Sequence, residues 1–479
     1  MDVGDLMKFK PDYVASDARK PVSGQQVQQQ PQKKRSSRFE NSEDTPSAKH
    51  ARDVDVEASS SKLVEDDRER LLKLVDELPE AEPFDIVALK KLILKFEKLI
   101  TKNREMRVKH PDEPQKFLES EMELNEVIHE MHIIATAPQL YPVMIDLNVV
   151  SSTLQLLSHE NADIANAAID LLHELTDVES TDDEILDILE RFVNVLGEQQ
   201  LVARLIQNAE RLDETVKEES EAIHQTMAII ENLLELKSEL ATDIGKQGVM
   251  QWLLKRLRVK MPFDGNKLYA SEIISILLHE NNENRELLGS LDGVDILLQQ
   301  LASYRRHNPS SPDEIEFMGN LFSSLCSSLM LKSNKKRFLD GEGLQLMILI
   351  IREKNMARIS AIKVLDYAMS GPDGDDNCNK FVDILGLRSI FPLLMKTPKA
   401  PKKADLGSVD STEEHICSVV AALLRNTNGT EQRARLLNKF IENNHEKVER
   451  LLELHFKYSD KVKVVDNELI REKNVRKLS

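Results

Sequence analysis

The chain has 479 residues, 41% hydrophobic and 30% charged, enough apolar material for a sizeable core, which excludes wholesale disorder. Aromatics at 4%, with 16 Gly and 17 Pro, are too few for an all-β sandwich or barrel, so the composition favours helices rich in Leu, Ile, Glu and Lys. The balance of 64 Lys+Arg against 82 Asp+Glu leaves −18, an acidic body that repels nucleic-acid phosphates and suits basic protein partners.

Residues 1–62 come first. They carry a Gln-rich run (Gln25 to Gln32), several Ser and no sustained apolar period, and so are expected to form a disordered tail. Residues 1–41 hold 8 Lys+Arg and 5 Asp+Glu, a local +3 against −21 for the remainder. Arg19 and Lys20 precede a second cluster, Lys33, Lys34 and Arg35, with Arg38 beyond. Two basic clusters on a flexible spacer have the form of a bipartite nuclear localisation signal, in which extended Lys and Arg side chains reach acidic receptor pockets. The expected location is the nucleus. The three cysteines, Cys326, Cys378 and Cys417, form no CxxC pair and fit a reducing compartment. The longest clean apolar run, Leu346 to Ile351, is far short of a membrane span.

Residues 63–140 are expected to form an N-terminal helical cap, and 141–458 a repeat array. Ile164, Ala168, Leu171, Leu172 and Leu175 recur at three- and four-residue spacing, as do Ile273, Ile274, Leu277 and Leu278; these are the apolar stripes of amphipathic helices. A short marker opens a Leu/Ile-rich helix at Asn148, Gln200, Gly248, Gly293, Gly343 and Gly386, at intervals of 52, 48, 45, 50 and 43 residues. That is at or just above the period of armadillo and HEAT arrays. Each unit exposes an apolar face that it cannot bury alone, so the units stack. The expected fold is all-α, an armadillo/HEAT-type right-handed superhelical solenoid. The marker glycine is expected to supply the left-handed turn that ends the preceding helix. The basic, Pro-rich segment Lys396 to Lys403 reads as an exposed loop. Residues 459–479 read as a short charged C-terminal tail.

No catalytic constellation is present: GxxxxGK[ST], GxSxG, HExxH and CxxC are all absent. No cofactor is expected. His129 and His132 stand three residues apart, but a metal site needs further ligands, and none is assigned from sequence.

Longer segments carry a resemblance. They include Glu119–Asn125 (ESEMELN), Glu130–Thr136 (EMHIIAT), Trp252–Leu257 (WLLKRL), Met261–Asp264 (MPFD), Asn266–Tyr269 (NKLY), Glu283–Gly289 (ENRELLG), Phe338–Met347 (FLDGEGLQLM), Lys380–Arg388 (KFVDILGLR), Arg435–Phe440 (RLLNKF) and Leu454–Tyr458 (LHFKY). From Phe84 to Tyr458 the chain resembles the beta-catenin-like family of nuclear armadillo-repeat proteins. Members of that family continue past this point through an acidic linker and a further helical region. The resemblance implies a non-enzymatic scaffold that supports pre-mRNA splicing. It implies association with the spliceosome through the nineteen complex, and docking of basic, localisation-signal-like segments of splicing factors, including a cell-division-cycle-five-like Myb-domain protein. Membrane and direct nucleic-acid partners are not expected; homodimerisation is left open. In peptide-binding armadillo proteins the last helix of each unit lines a groove with Asn and acidic residues. By that analogy Glu174, Asp177, Glu231, Asn232 and Glu235 are the candidate groove residues, with His279 as the counterpart one unit on. A transport adaptor for basic cargo is the alternative, but the regular Asn and Trp ladder of import adaptors is largely missing, and Trp252 lies in a marker helix.

Overall fold

A computed structural model describes residues 84–178, 180–258, 263–398 and 408–476. Every element among them is helical, and no strand occurs among the described residues. Ile86 onward belongs to one compact unit; of a second unit, Tyr13–Asp85, only Phe84 and Asp85 are described. The basic clusters Arg19, Lys20, Lys33, Lys34, Arg35 and Arg38, and most of the Lys396–Lys403 segment, lie outside the described residues.

The long helices are α1 Ile86–Lys109, α2 Pro114–Glu130, α3 Ala162–Thr176, α4 Lys217–Leu236, α5 Gly265–Leu278, α6 Pro312–Ser328, α7 Arg358–Met369, α8 Val409–Asn426 and α9 Thr430–Arg476. The last is broken at Glu442–His445, where three consecutive residues take positive φ. Short helix pairs separate the long ones, such as Asn282–Ser290 and Gly293–Leu301 ahead of α6. Two short helices followed by a longer third make the armadillo unit. The third helices α2 to α8 each pack on the next, forming one continuous row.

Local chemistry explains where the helices begin. Asn161, Asp264, Ser311 and Ser408 each accept a backbone N–H of the first turn of α3, α5, α6 and α8, satisfying donors that the helix leaves open. The apolar stripes then face the core. Ile164, Ala168, Leu171, Leu172 and Leu175 are buried, and Ile273, Ile274, Leu277 and Leu278 are fully so. Trp252 is also buried. Cys326 and Cys378 are buried and Cys417 is half-buried. Burial pushes the Cys326 and Cys378 thiols up to about 12, so neither offers a thiolate at neutral pH.

The marker turns differ from expectation. A left-handed residue does precede each second helix, but glycine supplies it only at Gly248, φ 104°. Elsewhere it is Asn148, Gln200, Asp292, Glu342 and Leu385, with φ between 58° and 64°. Gly293, Gly343 and Gly386 stand one residue later, for a different reason. A Cβ there would lie 2.5 Å from Leu288, 2.2 Å from Phe338 and 2.5 Å from Phe381. These glycines permit close approach to the large side chain five residues earlier, which is a packing requirement rather than a conformational one.

A second repeat-spaced residue joins the units. Asn284 donates Nδ2 to the carbonyls of Ala241 and Leu277 at 2.8 and 2.9 Å. Asn334 donates to Arg285 and Ser328 at 2.8 and 3.1 Å, and Asn377 to Lys335 at 3.4 Å. All three are essentially fully buried. Each ties the first helix of its unit to the first helix of the unit before.

Candidate functional site

The candidate groove residues fall on the row of third helices. Glu174 lies in the last turn of α3 and Asp177 caps it; Glu231, Asn232 and Glu235 lie in the last turns of α4. Glu174, Asp177 and Glu235 are exposed, and Glu231 and Asn232 half-buried. They do not form one cluster. Asn232 donates Nδ2 to Thr176 Oγ1 at 3.3 Å, which commits part of its amide to the neighbouring helix. Glu174 lies near Tyr141, in the first helix of its own unit. Tyr141 is fully buried and donates its hydroxyl to the Leu175 carbonyl at 3.1 Å; burial first, and then the Glu174 charge, raise its pKa. His279 is exposed at the end of α5.

Glu231 instead meets a side chain of the next unit. The Tyr269 hydroxyl of α5 donates to Glu231 Oε2. Burial raises the Tyr269 pKa, reinforced by that bond and by the charges of Glu231, Glu272 and Asp177. Glu272, on α5, lies near Glu316 on α6, and its carboxyl is pushed up to about 7, by burial first, then by the Glu316 charge and the hydrogen bond that its protonated form can make to Glu316, and then by the Glu231 charge. Asp177, just past the end of α3, and Glu231, Glu272 and Glu316 of α4, α5 and α6 thus supply one carboxylate from each of four consecutive units. Opposite charge is the condition that relieves such a row. A guanidinium or ammonium group between the carboxylates offers the donors that Glu272 and Glu316 lack.

Tyr269, Glu272 and Glu316 are not in the sequence-based set. Glu272 sits in Ala-Ser-Glu-Ile-Ile and Glu316 in Glu-Ile-Glu-Phe-Met, each followed directly by two buried apolar residues. Aligning the third helices on their stripes, rather than on the marker, is the signal that brings them together.

The geometry stands beside what the chain is similar to. The family described as "Catenin-beta-like, Arm-motif containing nuclear" matches residues 69–478. The chain belongs to this family. A relative named beta-catenin-like protein 1 from Bos taurus is 57% identical over 393 residues, 82% of this chain and 69% of that one. The beta-catenin-like protein 1 homolog of Schizosaccharomyces pombe is 35% identical over 381 residues, 79% of this chain and 65% of that one. Among solved structures, a designed armadillo repeat protein is 15% identical with a TM-score of 0.38, covering 58% of this chain and 99% of that one. Catenin-beta-like membership makes the chain an armadillo-repeat scaffold, a class of fold that is typically non-enzymatic, and the family's description is nuclear. Among the described residues no helix is long and apolar enough to cross a membrane.

Proposed function

We propose that the chain is a non-enzymatic nuclear scaffold of the splicing machinery, and that its row of third helices docks a Lys/Arg-rich, localisation-signal-like segment of a splicing factor. The family resemblance to spliceosome-associated proteins of the nineteen complex supports the setting. The observation that carries the docking surface is the carboxylate row Asp177, Glu231, Glu272 and Glu316 crossing four successive units. An extended peptide presents alternate side chains on one face, so basic residues along it meet successive carboxylates. Glu174 and Glu235 extend the acidic field, and Asn232 adds a polar contact beside it.

The test is titration of a labelled basic localisation peptide of a Myb-domain splicing factor against the full chain at two salt concentrations. Affinity falls as salt rises, because the exposed charges are screened over about 8 Å at physiological ionic strength. Glu231→Lys with Glu272→Lys weakens binding more than Glu231→Ala with Glu272→Ala, since like charges then face the ligand. Unchanged affinity in the charge-reversed protein places the docking site elsewhere.

A further inference from the structure

Outside the carboxylate row, one cluster brings together residues far apart in sequence. His129 lies in the last turn of α2, His132 in the 3-10 turn Met131–Thr136 that follows, and Asp170 in α3. One nitrogen from each imidazole and one carboxylate oxygen all lie within 4.8 Å of one another. The His132 Nε2 to Asp170 Oδ2 distance is 3.7 Å. That is too long for a hydrogen bond but close to the separation of two ligand atoms on a tetrahedral ion with bonds of about 2.0–2.2 Å. His132 Nε2 is closed off from water and has no hydrogen-bond partner, an unfavourable state for a ring nitrogen. The other Asp170 oxygen, Oδ1, accepts a hydrogen bond from Gln225 Nε2 of α4 at 2.6 Å. A hydrogen bond on the far oxygen is how a ligating carboxylate is held in orientation.

We propose that His129, His132 and Asp170 form a binding site for one divalent transition-metal ion of the zinc type. Two imidazole nitrogens and one carboxylate oxygen are a donor set that suits zinc and disfavours magnesium or calcium, which take oxygen ligands. The exposed His129 side chain rotates to close the remaining distance. A water supplies the fourth position. The ion clamps α2, the 3-10 turn and α3 together, with α4 attached through Gln225, at the end of the row nearest the N-terminus. The site is distinct from the carboxylate row and does not depend on its docking role.

The experiment uses the full chain, freed of metal with a chelator and dialysed. Zinc alone is titrated by calorimetry, and cobalt alone is followed by visible absorption. One equivalent of zinc per chain, an intense tetrahedral cobalt spectrum and a rise in melting temperature with zinc are expected; binding that stabilises only the folded state must raise it. His129→Gln, at an exposed position, leaves the fold intact and abolishes both the cobalt spectrum and the zinc-dependent rise. Gln225→Ala weakens zinc by roughly 10–100-fold, the usual effect of removing a hydrogen bond to a ligand. If the cluster is only an ion pair, Asp170→Asn lowers the melting temperature equally with and without zinc, and zinc adds nothing to the unmodified chain. That result, or a cobalt spectrum that persists in His129→Gln, overturns the site.

Discussion

Replacing Glu272 by Gln isolates the charge of the carboxyl pair, because the amide still donates a hydrogen bond to Glu316. In the folded chain Glu272 is pushed from 4.5 to about 7, so the folded state holds its proton more tightly than the unfolded chain. Between pH 4.5 and 7 the folded state binds more protons, and stability therefore falls as pH rises through that window. The destabilisation is absent below about 4.5 and complete above about 7. The displacement sets a ceiling of roughly 3 kcal/mol, at 1.36 kcal/mol per tenfold change in proton affinity; solvent screening at this half-exposed site lowers it to about 1 kcal/mol. Glu272→Gln is accordingly more stable than the parent by about 1 kcal/mol at pH 8, and by about a quarter of that at pH 5. Urea unfolding of both proteins across this range measures the difference. The same variant also binds the basic peptide more weakly. In the parent, calorimetry near pH 6.5 in buffers of different ionisation enthalpy registers proton release as a cation displaces the shared proton. A stability difference that does not change with pH refutes the shared-proton reading.

Leu172→Ala removes a side chain only 1% exposed and costs roughly 2–5 kcal/mol in denaturant melts, with the loss confined mainly to adjacent units. Asn334→Ala leaves the Arg285 and Ser328 carbonyls without their donor and costs about 2–4 kcal/mol; Asn334→Asp, which has no N–H to donate, does no better in the same melt. Lys33→Ala, Lys34→Ala and Arg35→Ala together shift a tagged chain towards the cytoplasm, and a 63–479 fragment as nuclear as the full chain contradicts the signal.

The stack of helices was legible because burial writes a 3.6-residue period into every third helix. Ile164 to Leu175 and Ile273 to Leu278 declare their inward faces without any structure. The marker glycines were legible as positions but not as physics. A Gly before a helix suggests a left-handed turn, whereas Gly343 is small because the Phe338 ring occupies the space of its Cβ. The carboxylate row was half legible. Asp177 and Glu231 stand near helix ends, where the analogy to other armadillo grooves directs attention. Tyr269 lies in the second turn of α5 and Glu272 at its middle, and only the offset between successive third helices brings them beside Glu231. The His129, His132 and Asp170 cluster was hidden for the same reason: two members are neighbours in sequence, and the third arrives from the next unit.

The Asn staples carry a consequence for dynamics. Each stands eight residues before the left-handed residue of its marker turn: 292 − 284, 342 − 334 and 385 − 377 all equal 8. At the corresponding positions before Asn148, Gln200 and Gly248 the chain has Leu140, Phe192 and Leu240, apolar side chains with no N–H to donate. Where the later units carry the closely packed Gly293, Gly343 and Gly386, the earlier ones carry Val149, Leu201 and Val249. The units from Asn282 onward thus gain buried amide bonds between first helices and close packing at glycine, which the earlier units lack at those positions, their links being apolar stacking and partly exposed polar contacts such as Asn232 to Thr176. Because a repeat array opens locally, unit by unit, the two halves should differ in protection. Hydrogen exchange followed by mass spectrometry is expected to show slower exchange in peptides from 282–395 than in peptides from 141–236. Asn334→Ala should erase the difference around residues 285–340 while leaving 141–236 unchanged. Equal protection in both halves of the unmodified chain would mean that the staples set register and not stability.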